Sequence, residues 1–315
     1  MNYFISKIKN NPDSKTSIVF VHNKKSSYMS PVLDQARLSN PDAKIYIISN
    51  ESSRMFYERY GIFIDINKHF NEANEFEKIY VHLSSLSYSI ELIFIQRWFI
   101  LKSFMLSYEI ERLVYLDSDC MLYHDVNVDW HLFNDYDFAN IDLIWPAVTF
   151  IPSVDSLIKF CNFLNDQYTI NLDFIINKYK TNFQDKNIQG GIGDMSHFGM
   201  FFTKFKSIFD LSGIIQESTY DTNINDCANT RINLVDKEFS VNISSDYIFD
   251  NERNIKKISF YRKLPFGFLK TSNKKIRFKS LHFQGSSKKY IPYFYNGNLI
   301  KKWIYIRRFK KLGYT

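Results

Sequence analysis

Residues 111–123 read ERLVYLDSDCMLY. Leu113, Val114, Tyr115 and Leu116 make an apolar run of the length and composition of a strand covered on both faces. The run ends on two carboxylates, Asp117 and Asp119, separated only by Ser118, and the chain turns apolar again at Cys120, Met121 and Leu122. Along an extended chain residues i and i+2 point to the same side, so the two carboxylates are expected to aim at one point. Each then opposes the ionisation of the other, and a cation between them relieves the conflict. Oxygen ligands at a strand end suit Mg²⁺ or Mn²⁺, which bind through one or two carboxylates plus the phosphate oxygens of a substrate. The bland alternative is that Asp-x-Asp simply closes a strand and opens a turn. The position between two apolar runs favours the metal.

Outward from this stretch the chain alternates. TSIVFVH (16–22) and KIYIIS (44–49) read as buried strands around a short helix that starts at Pro31 and runs to Leu38, where Pro suits the first turn. Strand, helix, strand at this spacing is a βαβ unit, and the fold class is α/β with a parallel sheet. IFIDI (62–66) and KIYVHL (78–83) read as further short strands. Residues 90–108 form a long helix whose cations are Arg97 and Lys102, and 153–168 form an amphipathic one. DFANID and WPAVTFI are strands between them. From 236 to 283 the pattern is short strands with polar turns. In open α/β sheets ligands bind beyond the carboxyl ends of the strands, where Val21, His22 and Asn23, Ser49 and Asn50, and the Asp117–Asp119 pair all fall.

The 315 residues carry a net charge of +7, unevenly placed. All 33 acidic residues precede residue 286, where 32 of the 40 basic residues answer them, a balance of −1. The last 30 residues carry the other eight. A near-neutral body argues against nucleic acid as a partner, and a basic tail suits an anionic surface. NGNLIKKWIYIRRFKKLGYT (296–315) interleaves its cations with Leu299, Ile300, Trp303, Ile304, Tyr305, Ile306 and Phe309, without gathering them on one helical face. The reading divides the chain at 1–291, a catalytic domain, and 292–315, a candidate membrane-surface anchor, against the plainer alternative of a closing helix packed on the body. Three scattered cysteines, Cys120, Cys161 and Cys227, give neither a disulfide framework nor a zinc site. With no apolar run of the ~20 residues a membrane span needs, and no signal-peptide pattern, the expected location is cytoplasmic, peripheral on the inner membrane face.

A second constellation lies far downstream. LHFQGSSKKYI (281–291) holds His282, Gly285 and Lys288 at the spacing His-x-x-Gly-x-x-Lys. A histidine ligates metal, a glycine lets the backbone approach a phosphate, and a lysine adds a point charge. Together they supply what the aspartate pair lacks. Asp-x-Asp after an apolar strand followed late by this motif resembles the GT-A nucleotide-sugar glycosyltransferases, and within them the retaining group with glycogenin and the lipopolysaccharide galactosyltransferases (glycosyltransferase family 8). The stretch from Ile18 through the Asn40-Pro41-Asp42 turn to Ser49 resembles that family's opening strand, helix and second strand.

The resemblance implies a GT-A, Rossmann-like fold with a mixed, mostly parallel sheet flanked by helices. It implies a UDP-sugar donor, Mn²⁺ or Mg²⁺ as cofactor, and an acceptor hydroxyl on a glycan or a lipid-linked glycan. Carried over by position, Asp117, Asp119 and His282 match metal ligands, and Gly285 and Lys288 match diphosphate-binding positions. Val21, His22 and Asn23 match the stretch holding uracil and ribose, with Ser118 at the ribose. Arg97 resembles a cation reaching the donor sugar and phosphate, with Lys102 as its competitor. Asp194, in GIGDM, resembles the acid that holds the transferred sugar's hydroxyls and is the one candidate nucleophile, against a front-face route that needs none. The chain departs from the family at Asn23, where an acid is frequent, at Pro146-Ala147-Val148, where Asn-Ala-Gly is usual, and at Lys289-Tyr290, after the final lysine.

Rival classes are a non-catalytic sugar- or nucleotide-binding module and a metal-dependent phosphatase or nucleotidyltransferase. The haloacid dehalogenase type of phosphatase prefers Thr or Val where Met121 stands, and places its pair after the first strand. Trp98 and Trp130 read as core or rim, and Cys120 as a small buried hydrophobe. His69, His124 and His131 sit in no recognised spacing. Gly190, Gly191 and Gly193 form no Walker loop. Asp221, Asn223 and Asp226 read as a solvated loop rather than an acceptor wall.

Overall fold

The computed structural model describes residues 16–225 and 247–313. β1 (Ser17–Val21), α1 (Met29–Ser39) and β2 (Lys44–Ser49) open the chain as expected, followed by α2 (Arg54–Tyr57), β3 (Ile62–Asp65) and α3 (Asn71–Glu77). The long helix α4 (Tyr88–Ser107) leads into β4 (Leu113–Leu116) and, across a tight turn, β5 (Cys120–Leu122). β6 (Phe138–Ile141), β7 (Trp145–Ile151), α5 (Val154–Tyr168), α6 (Leu172–Tyr179), α7 (Asp194–Phe205), β8 (Ile208–Asp210) and β9 (Ser218–Tyr220) complete the first span. The second holds β10 (Phe249–Asp250), β11 (Ile255–Lys256), β12 (Ser259–Tyr261), β13 (Leu264–Phe268), β14 (Lys275–His282), α8 (Ile291–Phe294) and α9 (Leu299–Lys311).

The main sheet has seven strands in the order β3-β2-β1-β4-β7-β6-β8, with β7 alone running against the rest. Its inner strands are mostly apolar because both faces are covered. On β4, Val114 and Leu116 face the core that includes α1, whereas Leu113 and Tyr115 face the core built on α4, α5 and α7. This alternation carries the Tyr115 hydroxyl to the α4 side. A second sheet, β12-β13-β14-β5 with β9 on β14, stands beside the first.

Two local readings need correction. KIYVHL (78–83) forms no strand: Tyr80 and Leu83 bury their side chains in the α4 core, and the backbone meets the segment before α7 where Ile192 N–H donates to Leu83 O (2.7 Å) and Ser84 bridges Gly191. An apolar run without a partner strand packs as irregular chain. The stretch Asp117–Ser118–Asp119 is not strand either but the turn between β4 and β5, closed by Cys120 N–H to Asp117 O at 3.0 Å. Expected strands at 236–246, and also Asp226 and Cys227, lie outside the described residues.

Candidate active site

The pairing of β5 with β14 brings the two distant motifs together. The strands run antiparallel with Leu122 opposite Ser280, Met121 opposite Leu281 and Cys120 opposite His282. Phe283 N–H then donates to Asp119 O at 3.0 Å. A one-residue slip of this register would turn His282 to the other face. Convergence of the aspartates therefore comes from a tight turn plus a cross-strand register, not from strand alternation.

Carboxylate oxygens of Asp117 and Asp119 and a ring nitrogen of His282 lie within 4.8 Å of one another. His282 Nδ1 bonds the Thr222 carbonyl at 2.8 Å. A carbonyl only accepts, so Nδ1 carries the proton and Nε2 faces Asp119 Oδ1, 3.5 Å away. Lys288 Nζ lies 3.0 Å from Asp119 Oδ2. Burial alone would raise the Asp119 pKa, but the hydrogen bond and charge of His282, then Lys288, outweigh it and pull it down to about 2. The residues fit a hard divalent cation: two carboxylates and an imidazole whose tautomer is fixed by a backbone acceptor.

Behind the aspartates runs a buried chain of charge. Arg97, on α4, donates through Nη1 to the Tyr115 hydroxyl and to Asp117 Oδ1, each at 2.7 Å, and through Nη2 to Asp194 Oδ2. Tyr115 donates in turn to Asp117 Oδ1 at 2.6 Å. Asp194 is the first residue of α7, and its Oδ1 accepts from Met195 N–H at 2.8 Å. Burial raises the Asp194 pKa against the opposing pull of Arg97. Three elements are thus tied to one guanidinium, which sets the Asp117 carboxylate in place.

These residues open onto a cleft of about 880 Å³. Val21, His22, Asn23, Ser118, Arg97, Asp194 and Lys288 all line it, as do the metal-site residues. His22 Nε2 pairs with Ser26 Oγ at 2.8 Å, and burial, followed by the Lys288 charge, lowers its pKa to about 4, so the ring is neutral. Ser118 Oγ meets the Tyr28 hydroxyl at 3.2 Å. Gly285 adopts the left-handed region (φ 59°) at the head of the turn carrying Lys288. Lys102 is held by Glu72 and is not among the cleft's lining residues.

Sequence reasoning missed Tyr115 and Tyr28, and it misjudged the loop after β9. Asp221 and Asn223 are buried, not solvated. Asp221 Oδ2 accepts from His282 N–H at 3.1 Å, and Lys256 pairs with Asp221 while donating to Asn223 O at 2.6 Å. This buried pair fixes the loop whose Thr222 carbonyl orients His282. A polar run such as YDTNIND signals a loop, and only its tertiary neighbours make it a support. Trp98, Trp130 and Cys120 are core residues as expected. His69, His124 and His131 bond Ser103, Asp129 and the Val128 carbonyl respectively.

No family model matches this sequence, and no curated protein matches it. The solved structures it resembles include mouse xyloside xylosyltransferase 1 in its apo form, at 15% identity and a TM-score of 0.42 over 62% of this chain and 84% of that one. The galactosyltransferase LgtC, in complex with donor and acceptor sugar analogs, aligns at 13% identity and a TM-score of 0.43 over 94% of this chain and 95% of its own. The glycosyltransferase GlyE of Streptococcus pneumoniae TIGR4 aligns at 17% identity and a TM-score of 0.38 over 62% of this chain and 45% of that one, so this chain matches under half of its length. The structural neighbours are glycosyltransferases, the class of protein that the two sequence motifs resemble.

Proposed function

We propose that this chain is a metal-dependent glycosyltransferase that moves a hexosyl group from a UDP-sugar to a hydroxyl of a cell-surface glycan, with retention at the anomeric carbon. The observation that carries this reading is the convergence of Asp117, Asp119, His282 and Lys288 in one cleft at the carboxyl edge of the sheet. Asp117, Asp119 and His282 would hold Mn²⁺ or Mg²⁺, which supplies positive charge to a departing diphosphate. Lys288 adds charge at the same point, and the turn at Gly285 lets the backbone come close. Neutral His22, with Val21 and Asn23, would hold the uracil, and Ser118 the ribose. Arg97 acts through Asp117 as a positioning residue. Both Asp194 oxygens are engaged, one by Arg97 and one by Met195. That favours the front-face route over a nucleophilic role for Asp194.

The division at residue 291 and the membrane anchor belong to this proposal. Among the described residues no helix is long and apolar enough to cross a membrane. Helix α9 instead exposes Leu299, Ile300 and Trp303 (79%, 70% and 55%) beside a run of cations, a pattern suited to resting on an anionic leaflet. That would place the enzyme on the inner face of the membrane, near lipid-linked acceptors.

The test is a panel of UDP-sugars with Mn²⁺, reading UDP release. Sugar-dependent UDP release supports the proposal. UDP binding without turnover would indicate a binding module, and phosphate or pyrophosphate release would indicate a phosphatase or nucleotidyltransferase.

A further inference from the structure

Glu91 sits in the first turn of α4, is only 4% exposed, and lines the cleft. Its Oε2 accepts from Ser84 Oγ at 2.7 Å. Its Oε1 has no hydrogen-bond partner among the described residues. That oxygen lies against Gly193, the residue before α7, where a Cβ would come within 2.1 Å of it. The carboxylate thus fills the space a side chain at 193 would take, next to Asp194. Its position is built, not incidental. Segment 83–85 is zipped onto 190–192 by Ile192 N–H to Leu83 O (2.7 Å) and Ser85 N–H to Gly190 O (2.9 Å), and Ser84 Oγ also accepts from Leu86 N–H at 3.1 Å.

Oε1 opens onto the cleft with no donor from the described residues, so a ligand lying there can bring the hydrogen bond that the fold does not supply. Burial, then the Asp194 charge, push the Glu91 pKa up against the Ser84 hydrogen bond. A second anion beside it would be repelled, so neither the diphosphate nor an acidic sugar suits this wall. Hydroxyl groups do. On the donor reading above, on which this inference rests, the chain of groups from Asp117 through Arg97 to Asp194 leads from the diphosphate to Glu91. We propose that Glu91 is a specificity-determining residue: Oε1 accepts hydrogen bonds from hydroxyls of the transferred sugar, and its charge selects neutral sugars over uronosyl ones.

Glycine 193 supplies a test that leaves the charge in place. Its backbone (φ −104°, ψ −166°) suits any residue, so Gly193→Ala should fold and push the carboxylate aside. Binding of UDP, UDP-glucose, UDP-galactose and UDP-glucuronate, with Mn²⁺ and no acceptor, would be measured by calorimetry for the full chain and for E91Q, E91A, G193A and E91A/G193A. We expect the preferred neutral UDP-sugar to bind about tenfold more weakly to E91Q and to G193A, with UDP itself unchanged and the margin over UDP-glucuronate reduced. Because G193A acts through Glu91, the double variant should bind no worse than E91A. An unchanged ratio of UDP-sugar to UDP affinity in E91Q and G193A overturns the inference alone. If E91Q and E91A lose their melting transition, G193A decides. Failure of the wild-type chain to bind UDP overturns the donor reading and this inference with it.

Discussion

Asp119 and Lys288 differ in what each should cost when removed. Asp119 is buried between His282 and Lys288, so Asp119→Asn deletes a ligand and leaves two basic groups facing each other. Loss of an outer-shell partner alone weakens metal binding by about 10–100-fold, and loss of a ligand should exceed that. We expect Asp119→Asn to reduce Mn²⁺ affinity more than about 100-fold, measured by calorimetry, with UDP release falling alongside. Wild-type Mn²⁺ affinity in this variant would remove Asp119 from the site. Lys288→Ala leaves the ligands in place and removes one charge 3.0 Å from Asp119. It should weaken UDP by about ten- to a hundredfold while leaving uridine unchanged, since a charge-assisted contact to phosphate is worth roughly 1.5–3 kcal/mol. Equal losses for uridine and UDP would move Lys288 away from the phosphates.

Elements that follow from local pattern were legible, and those that depend on partners were not. The apolar runs of β1, β2 and β4, the length of the apolar run in α4 and the periodicity of α5 mark themselves, because burial dictates residue type. The run at 78–83 looks the same on paper yet has no neighbouring strand to pair with. The metal ligands were readable as motifs, whereas Tyr115, Glu91 and Asp221 act through groups distant in sequence. The same holds for a second node that neither motif touches. Asp129 receives both Lys279 Nζ bonds, at 2.9 and 2.8 Å, and the Tyr220 hydroxyl at 2.7 Å, pinning β14 and β9 to the loop after β5. Breaking a buried pair from one side costs about 3–5 kcal/mol, and Asp129→Asn should lose that much in denaturant unfolding. Burial would raise the Asp129 pKa, but His124, Lys279 and Tyr220 drive it well below the carboxylate range. A depressed folded pKa means that the unfolded chain takes up the proton first. The stabilisation is therefore complete above the ordinary carboxylate pKa and fades as the pH falls, over roughly pH 5 to 1. The gap between wild type and Asp129→Asn should narrow over that range. A gap independent of pH would mean that the charge on Asp129 is not what stabilises the fold.

At the scale of the whole molecule, the issue is how a near-neutral body and a basic end work as one object. Helix α9 does not hang free. Tyr305 and Phe309 lie in the same core as α1, Lys301 Nζ reaches Asp34 on α1 at 2.9 Å, and Tyr305 donates to the same carboxylate. Asn298 caps the helix by accepting from Ile300 N–H and Lys301 N–H at 2.8 and 3.2 Å. Truncation would remove two core aromatics, at about 3–5 kcal/mol for each such loss, and would confuse anchoring with folding. Substitution on the outer face avoids this, since Leu299, Ile300 and Trp303 contribute little to the core. Replacing all three with Ser should leave the melting temperature within about a degree or two, surface changes costing about 0.5 kcal/mol or less. Partial insertion of three large apolar side chains contributes roughly 3 kcal/mol, so binding to anionic vesicles should drop by about a hundredfold. Lys302, Arg307, Arg308, Lys310 and Lys311 contribute about 1 kcal/mol each near an anionic leaflet, an attraction that salt screens. Wild-type binding, followed by vesicle sedimentation, should therefore fade between low salt and about 0.5 M, and should be absent on neutral vesicles. If the triple-Ser variant binds anionic vesicles as tightly as the wild type, the apolar face does not enter the membrane. If the wild type binds none, α9 is a closing helix of the body, and the acceptor must reach the cleft from solution.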